Sequence, residues 1–150
     1  MDLTTILSPE RTLRCASCQS KKRTIEEIAQ ILSEHLKGPS AHEIFDALIE
    51  RERLGSTGLG DGIGIPHSRL AACDKPTGVL LLLDTPIDFD ALDRQKVDII
   101  FALVVPQEAN EDHLDILATI AGQFSQAEFR DKLRATQTDE ALYQAITEDN

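Results

Sequence analysis

The chain is organised around one stretch, Gly55-Ser56-Thr57-Gly58-Leu59-Gly60-Asp61-Gly62-Ile63-Gly64-Ile65-Pro66-His67. Five glycines fall within ten positions of it. Glycine tolerates positive φ and lets other groups approach the backbone closely, so a run this dense predicts a loop and disfavours a helix or a central strand. Successive backbone N–H groups in such a loop form a concave surface that suits an anion. The hydroxyls of Ser56 and Thr57 add further donors, and the stretch therefore predicts an anion-binding loop.

The last two residues of the stretch, Pro66 and His67, place an imidazole on a stiff backbone, because proline fixes its own φ and restrains the residue before it. Such a histidine can be a metal ligand or a nucleophile whose product is an anion, and a structural histidine on a surface turn is the third alternative. The loop favours the nucleophile, since only Asp61 lies near enough in sequence to help bind a metal. No lysine follows the glycines as in a P-loop, and the third glycine of the dinucleotide motif is missing, which argues against a nucleotide.

Composition limits the function further. The chain has 150 residues, the size of one domain, and a net charge of −11. An acidic surface argues against nucleic acid as a partner, because phosphate binding requires basic residues. No apolar run approaches the roughly 20 residues of a membrane helix, and the N-terminus lacks the features of a signal peptide. We therefore expect a cytoplasmic protein that does not insert into a membrane.

Three cysteines, Cys15, Cys18 and Cys73, are present without an export signal, and we expect reduced thiols. The pair Cys15-x-x-Cys18 could bind a metal or act in redox chemistry. A structural zinc site needs four ligands, usually as two such pairs, and only one pair is present. The sequence therefore predicts no metal site.

Capping patterns and apolar runs predict alternating helices and strands. Four capping residues mark expected helix starts, and three apolar or β-tolerant segments are expected to form the main strands. The predicted caps are Thr24, Ser40, Ser125 and Thr138, and the predicted strands are 11–15, 79–83 and 97–105, with a short strand at 63–65 and a turn-rich connection over 84–90. The alternation predicts a single α/β domain over residues 1–150, with helices on both faces of the sheet.

Two further residues are candidates for the same site. Arg51 lies in the last turn of the helix that leads into the glycine-rich stretch, where a cation suits the helix dipole, and its guanidinium could also bind phosphate. His113 lies in the first turn of a helix predicted from Glu111 to Phe124, capped by Asn110, after an inner strand. Open α/β sheets bind ligands at that end of their strands, so His113 and His67 could meet. The alternative for His113 is an exposed residue at a helix start.

The segment from Arg51 to His67 resembles the active-site segment of the mannitol/fructose-type enzyme IIA domains of the bacterial phosphoenolpyruvate:sugar phosphotransferase system, and is closest to the nitrogen-regulatory branch. Further matches are Cys18-Gln19-Ser20-Lys21-Lys22-Arg23, Thr85-Pro86-Ile87-Asp88-Phe89-Asp90, Pro106 followed by His113-Leu114, and Asp139-Glu140-x-Leu142-Tyr143. The resemblance covers nearly the whole chain. Ser68 is a departure, since the family usually has glycine after Pro-His.

This resemblance implies a mixed central β-sheet flanked by helices. It implies that His67 accepts a phosphoryl group from a histidine phosphocarrier protein, that His113 supports the phosphoryl group, and that Arg51 contacts phosphate, with Ser56 and Thr57 as further donors. No metal, nucleotide or other cofactor is required. Regulatory partners such as transporters or sensor kinases would respond to the phosphorylation state.

Two other functions stay open at this point. The chain could be a sugar-specific IIA component that passes phosphate to a IIB partner, although no IIB or membrane segment is present in the sequence. It could also be an interaction module in which His67 is never phosphorylated.

Overall fold

The computed structural model describes residues 2–108 and 111–148, but not the side chains of residues 111–114. In this part of the chain, six strands form one mixed sheet and five α-helices pack against it. The strands are β1 (Thr12–Cys15), β2 (Gly58–Gly60), β3 (Ile63–Gly64), β4 (His67–Leu70), β5 (Thr77–Ile87) and β6 (Val97–Pro106). The helices are α1 (Lys21–His35), α2 (Ala41–Leu54), α3 (Glu111–Phe124), α4 (Ala127–Arg134) and α5 (Asp139–Thr147), preceded by short 3-10 turns at Leu3–Thr5 and Pro9–Arg11.

The two long strands, β5 and β6, form the centre of the sheet and run antiparallel. The order across the sheet is β1-β5-β6-β3-β2, and β4 also pairs with β6. Strands β1, β3 and β4 each run parallel to the long strand they join. The predicted α/β class and mixed sheet are confirmed. The expected turn over 84–90 is wrong in its first half, because β5 continues through a register shift until Ile87 pairs with Val97.

Apolar residues of the central strands point alternately to the two faces of the sheet, as the two-residue repeat of a strand requires. Along β5, Val79, Leu81 and Leu83 pack with α1 and α2 on one face. Leu80 and Leu82 pack on the other face, with α3, α4 and α5. Helices therefore cover both faces, as predicted. None of the helices in the described residues combines the length and the apolar character of a membrane span.

The helix starts test the capping predictions. Ser40 caps α2 with a complete capping box, in which the Glu43 N–H donates to the Ser40 hydroxyl and the Glu43 carboxylate accepts from the Ser40 N–H. The prediction at Thr24 is wrong, because α1 begins four residues earlier. Ser20 is the cap there, accepting from the Arg23 N–H at 3.0 Å. Thr24 is buried within the helix and donates its hydroxyl to the Ser20 carbonyl.

The two C-terminal helix starts gave one wrong and one correct prediction. Thr138 caps α5 by accepting from the Ala141 N–H at 3.0 Å. Ser125 does not cap α4, since its hydroxyl donates back to the Gly122 carbonyl at 2.6 Å. Gln126 occupies the cap position of α4 without a side-chain hydrogen bond. The predicted cap of α3, Asn110, lies outside the described residues.

The cysteines depart from the prediction of reduced thiols. Cys15, at the end of β1, and Cys18, just before α1, form a disulfide. Cys73 is a free, buried thiol, and its burial raises its pKa. The disulfide uses both sulfurs of the Cys-x-x-Cys pair and joins the first strand to the start of the first helix.

Candidate functional site

The glycine-rich stretch is more regular than the sequence suggests. Strands β2 and β3 form a tight antiparallel hairpin, and β3 pairs with β6 at the centre of the sheet. The predicted short strand at 63–65 is confirmed at Ile63–Gly64, whereas the loop expected at 58–60 is wrong, because these residues form β2. The turn between them needs left-handed backbone at three successive residues, Gly60, Asp61 and Gly62. Gly58 is required for a different reason, because a Cβ built on it would lie 2.7 Å from the Ala91 Cβ. The glycines thus allow a hairpin to lie tightly against its neighbours.

His67 begins β4, where it pairs with Leu103 of β6 and is half-buried. Its Nδ1 lies 2.7 Å from the carbonyl oxygen of Ile65. Because a carbonyl oxygen can only accept, Nδ1 carries the proton in this contact. In the neutral ring the lone pair is then on Nε2, which makes Nε2 the nucleophilic nitrogen.

The charge state of His67 also suits a nucleophile. Burial lowers its pKa below the ordinary value, and the positive charge of Arg51 acts in the same direction. The hydrogen bond to Ile65 and the negative charge of Glu52 oppose this shift. The net effect is a lowered pKa, so the ring is neutral at pH 7 and its Nε2 lone pair is available.

Arg51 lies in the last turn of α2, as predicted, and α2 packs against the strand that carries His67. One guanidinium nitrogen, Nη1, donates to the carbonyl oxygen of Gly55 at 2.9 Å. The positive charge of Arg51 is one of the causes that lower the pKa of His67. A neutral imidazole and a nearby helix that carries a cation suit the binding of an anion. His113 belongs to the first turn of α3, and its side chain lies outside the described residues.

Ser56 and Thr57 direct their hydroxyl protons to acceptors within the protein. Ser56 donates to the Phe89 carbonyl at 2.8 Å and accepts from the Gly58 N–H at 3.1 Å. Thr57 is buried and donates its hydroxyl to the Glu52 carboxylate. In this arrangement both residues shape the glycine-rich stretch, and a phosphate contact through Ser56 or Thr57 stays a prediction.

Two charged residues of the site were not identified from the sequence. Glu52 is buried, and its carboxylate forms an ion pair with the ammonium of Lys21 at 2.9 Å. Their positions could have indicated the ion pair, because Lys21 is the first residue of α1 and Glu52 is in the last turn of α2. Each charge opposes the dipole of its own helix, so each needs a partner elsewhere. Which partner it finds depends on the packing of α1 against α2, and the sequence does not encode that packing locally.

Ser68, the departure from the family pattern, is accommodated without strain. It lies within β4, opposite Val104, and has no positive φ. Its hydroxyl donates to the carbonyl of Arg69 at 3.0 Å. A side chain at this position fits because the backbone is in a paired, extended conformation that any residue adopts.

Comparisons with known proteins show the family to which the chain belongs. Residues 5–149 match the family described as the phosphoenolpyruvate-dependent sugar phosphotransferase system, EIIA 2. The chain is 48% identical over 143 residues to the nitrogen regulatory protein of Pseudomonas aeruginosa, covering 95% of this chain and 93% of that protein. A fructose-specific EIIA component of the phosphotransferase system from Haloferax volcanii is 37% identical over 103 residues, covering 69% of this chain and 67% of that protein.

A solved structure gives the same result for the fold. The crystal structure of nitrogen regulatory protein IIA-Ntr from Neisseria meningitidis superposes with a TM-score of 0.89 at 37% sequence identity. The match covers 97% of this chain and 99% of that one. A family match over nearly the entire sequence and a full-length structural match thus accompany a neutral histidine on β4 and an arginine on α2, the helix that packs against this strand. The chain belongs to the EIIA 2 family of the phosphoenolpyruvate-dependent sugar phosphotransferase system, among homologues of the nitrogen regulatory protein IIA-Ntr.

Proposed function

We propose that this chain is a phosphocarrier that accepts a phosphoryl group on Nε2 of His67 from a histidine phosphocarrier protein, and that its phosphorylation state regulates the partners it binds. One observation carries the proposal. The Nδ1–H of His67 is held by the Ile65 carbonyl at 2.7 Å, which leaves Nε2 with its lone pair. The lowered pKa of the ring keeps that lone pair free at neutral pH.

The chemistry needs little more than position and charge. The Nε2 lone pair attacks the phosphorus of the donor's phosphohistidine as the donor's N–P bond breaks, and the donor imidazole leaves with the bonding electrons. The phosphoryl group passes through a loose transition state whose charge lies on its equatorial oxygens. In our proposal Arg51 neutralises part of that charge, and the supporting role of His113 follows from its match to the family motif. The Nδ1–H bond to Ile65 persists throughout, because Nδ1 takes no part in the reaction.

In our proposal the donor protein docks on the segments around the glycine-rich stretch, where three leucines are exposed. They are Leu54 at 85%, Leu59 at 50% and Leu92 at 87% exposure. Leu54 precedes the stretch, Leu59 lies in β2, and Leu92 follows Ala91, which packs against Gly58.

Incubation with phosphoenolpyruvate, enzyme I and the phosphocarrier tests the proposal. The intact mass should rise by one phosphoryl group, in a form labile to acid. The change His67→Ala should abolish the gain. His42→Ala is the matched control, since His42 is an exposed histidine of α2 that pairs with Asp46. Labelling that persists in His67→Ala would refute the proposed site.

Regulation and sugar transport are distinguished by the acceptor of the phosphoryl group. The names of the nitrogen-regulatory relatives favour a regulatory function, and the name of the fructose-specific relative favours a sugar-specific function. In our proposal a regulator acts on partners such as transporters or sensor kinases, whereas a sugar-specific component passes phosphate to a IIB partner. We propose the regulatory function, because the relative that matches the greater share of this chain is a nitrogen regulatory protein. Rapid transfer from phosphorylated His67 to a purified fructose-type or mannitol-type IIB would instead support the sugar-specific function.

A further inference from the structure

Glu52 and Lys21 form a small buried network beside the nucleophile. The Glu52 carboxylate accepts from three donors: the Lys21 ammonium at 2.9 Å, the Thr57 N–H at 3.3 Å, and the Thr57 hydroxyl. Its side chain is only 4% exposed. A buried carboxylate with this many donors is held in one orientation, and it holds its partners in turn.

Lys21 joins three separate segments of the chain at this point. Besides Glu52 of α2, its ammonium donates to the Phe89 carbonyl at 3.2 Å and lies 3.5 Å from the Asp90 carboxylate. It also lies over the Phe89 ring, 4.6 Å from the centroid. The Phe89 carbonyl accepts from the Ser56 hydroxyl as well. The network therefore contacts the glycine-rich stretch at two residues, at Ser56 through Phe89 and at Thr57 through Glu52.

A continuous series of hydrogen bonds leads from this network to the nucleophile. Thr57, fixed by Glu52, accepts through its carbonyl from the Ile65 N–H at 3.0 Å. The Ile65 carbonyl accepts from Nδ1 of His67 at 2.7 Å. The orientation of the imidazole therefore depends on the position of Ile65, which depends on Thr57 and thus on Glu52.

We propose that Lys21 and Glu52 are positioning residues for phosphoryl transfer: the ion pair fixes Thr57, and through Ile65 it fixes the ring of His67 with Nε2 directed to the donor. The inference rests on the proposed function and adds two residues to its site. Neither residue touches the reacting atoms, so their effect is on geometry. Small misplacement of a nucleophile is costly, roughly a hundredfold in rate for 1 Å.

The start of α1 is built to hold Lys21 in place. Lys21 follows directly after the capping residue Ser20. The disulfide between Cys15 and Cys18 ties the same turn to the end of β1. A lysine on a capped and cross-linked helix start has less freedom to leave its partner than one on an open loop.

Phosphoryl transfer from the phosphorylated phosphocarrier tests the proposal in Lys21→Met. We expect the transfer rate constant to fall roughly ten- to a hundredfold, with the KM for the phosphocarrier close to wild type. Lys21→Arg should restore much of the rate, because a guanidinium can still pair with Glu52. Lys22→Met is the matched control, since Lys22 is exposed and one residue further along the helix. A wild-type rate in Lys21→Met would overturn the proposal.

A double variant separates positioning from stability. Lys21→Met alone leaves a buried charge without its partner, which destabilises the fold, whereas replacing both charges with apolar residues is often neutral for stability. We therefore expect Lys21→Met/Glu52→Met to recover thermal stability without recovering the transfer rate, because Thr57 has lost its carboxylate. A transfer rate that recovers together with stability would overturn the positioning role.

Histidine-ring NMR tests the inference without any donor. The Nδ1 proton of His67 should exchange slowly with water in the wild-type protein and in Lys22→Met, and quickly in Lys21→Met. If no variant of the protein is labelled in the transfer assay, the proposed function fails, and the NMR comparison still decides whether Lys21 positions the ring. Equal exchange in all three proteins would overturn the inference even if His67 is phosphorylated.

Discussion

A single methyl group added at position 58 should disturb both the stability and the activity of the protein. In Gly58→Ala the new Cβ would lie 2.7 Å from the Ala91 Cβ and 2.8 Å from the Ala91 Cα. Contacts between carbon atoms are favourable at about 3.5–4.0 Å, so both distances are far inside the repulsive range. The Ala91 Cα is backbone and has no rotamer to change. Strand β2 must therefore move away from the loop that contains Ala91.

The size of the effect follows from two opposing terms. Overpacking of a well-packed site costs about 1–3 kcal/mol. Replacing glycine by alanine restricts the unfolded chain and returns about 0.4–1 kcal/mol. We expect a net loss of about 1–2 kcal/mol in the free energy of unfolding. For a chain of this size, each kcal/mol shifts the unfolding midpoint by about 2–4 °C, so the midpoint should fall by about 2–8 °C.

The effect on activity follows from the position of Gly58 in the chain. Moving β2 also moves Thr57, whose carbonyl binds the Ile65 N–H, so phosphoryl transfer to His67 should slow as well.

Calorimetry and the transfer assay measure the two effects on the same samples. Gly122→Ala is the matched control, because Gly122 lies in α3 and an added Cβ would meet no described atom within 4 Å beyond its chain neighbours and the backbone of its own helix. This control should be more stable than wild type by about 0.5–1 kcal/mol, as expected for glycine to alanine in a helix. A Gly58→Ala protein with a wild-type midpoint and a wild-type transfer rate would refute the reasoning.

Three further predictions concern other parts of the site and its surroundings. In histidine-ring NMR the pKa of His67 in the folded protein should lie below the ordinary value of about 6.5, because burial lowers it. The unfolded chain then binds the proton more readily, so the free energy of unfolding should fall as the pH falls from about 6.5 through the folded pKa. A titration midpoint above about 6.5 contradicts this prediction. Arg134→Met should cost about 1 kcal/mol in urea unfolding, because the guanidinium binds both carboxylate oxygens of Asp98, and an unchanged urea midpoint would count against it. Reduction should raise the intact mass by two hydrogen atoms through the Cys15–Cys18 disulfide; Cys15→Ser should remove this gain, and its persistence there would contradict the assignment.

The sequence was most informative where one signal dominates locally. The strand around Val79–Leu83 and the capping box at Ser40 were identified correctly, because a continuous apolar run and a capping hydrogen-bond pattern are properties of neighbouring residues. Capping was misassigned at Thr24, where the same residue types occur within a helix that had already begun at Lys21. The hydroxyl of Thr24 donates a hydrogen bond to the Ser20 carbonyl, so a residue type that favours cap positions is also compatible with a helix interior.

The glycine-rich stretch shows where local reasoning fails. Its glycines correctly indicated unusual backbone and close approach, but they did not reveal that β2 and β3 pair with each other. Pairing of β3 with β6 joins residues about 36 positions apart, and such a contact is decided by the whole sheet.

The sequence alone determined the α/β class and placed Arg51 before the glycine-rich stretch and His67 at its end, because periodicity, capping and glycine content are properties of adjacent residues. Only the tertiary structure decided which nitrogen of His67 is free, since that depends on a backbone carbonyl presented at the right angle. It also decided that Lys21 and Glu52 pair, because two charges that each oppose their own helix dipole meet only when α1 packs against α2.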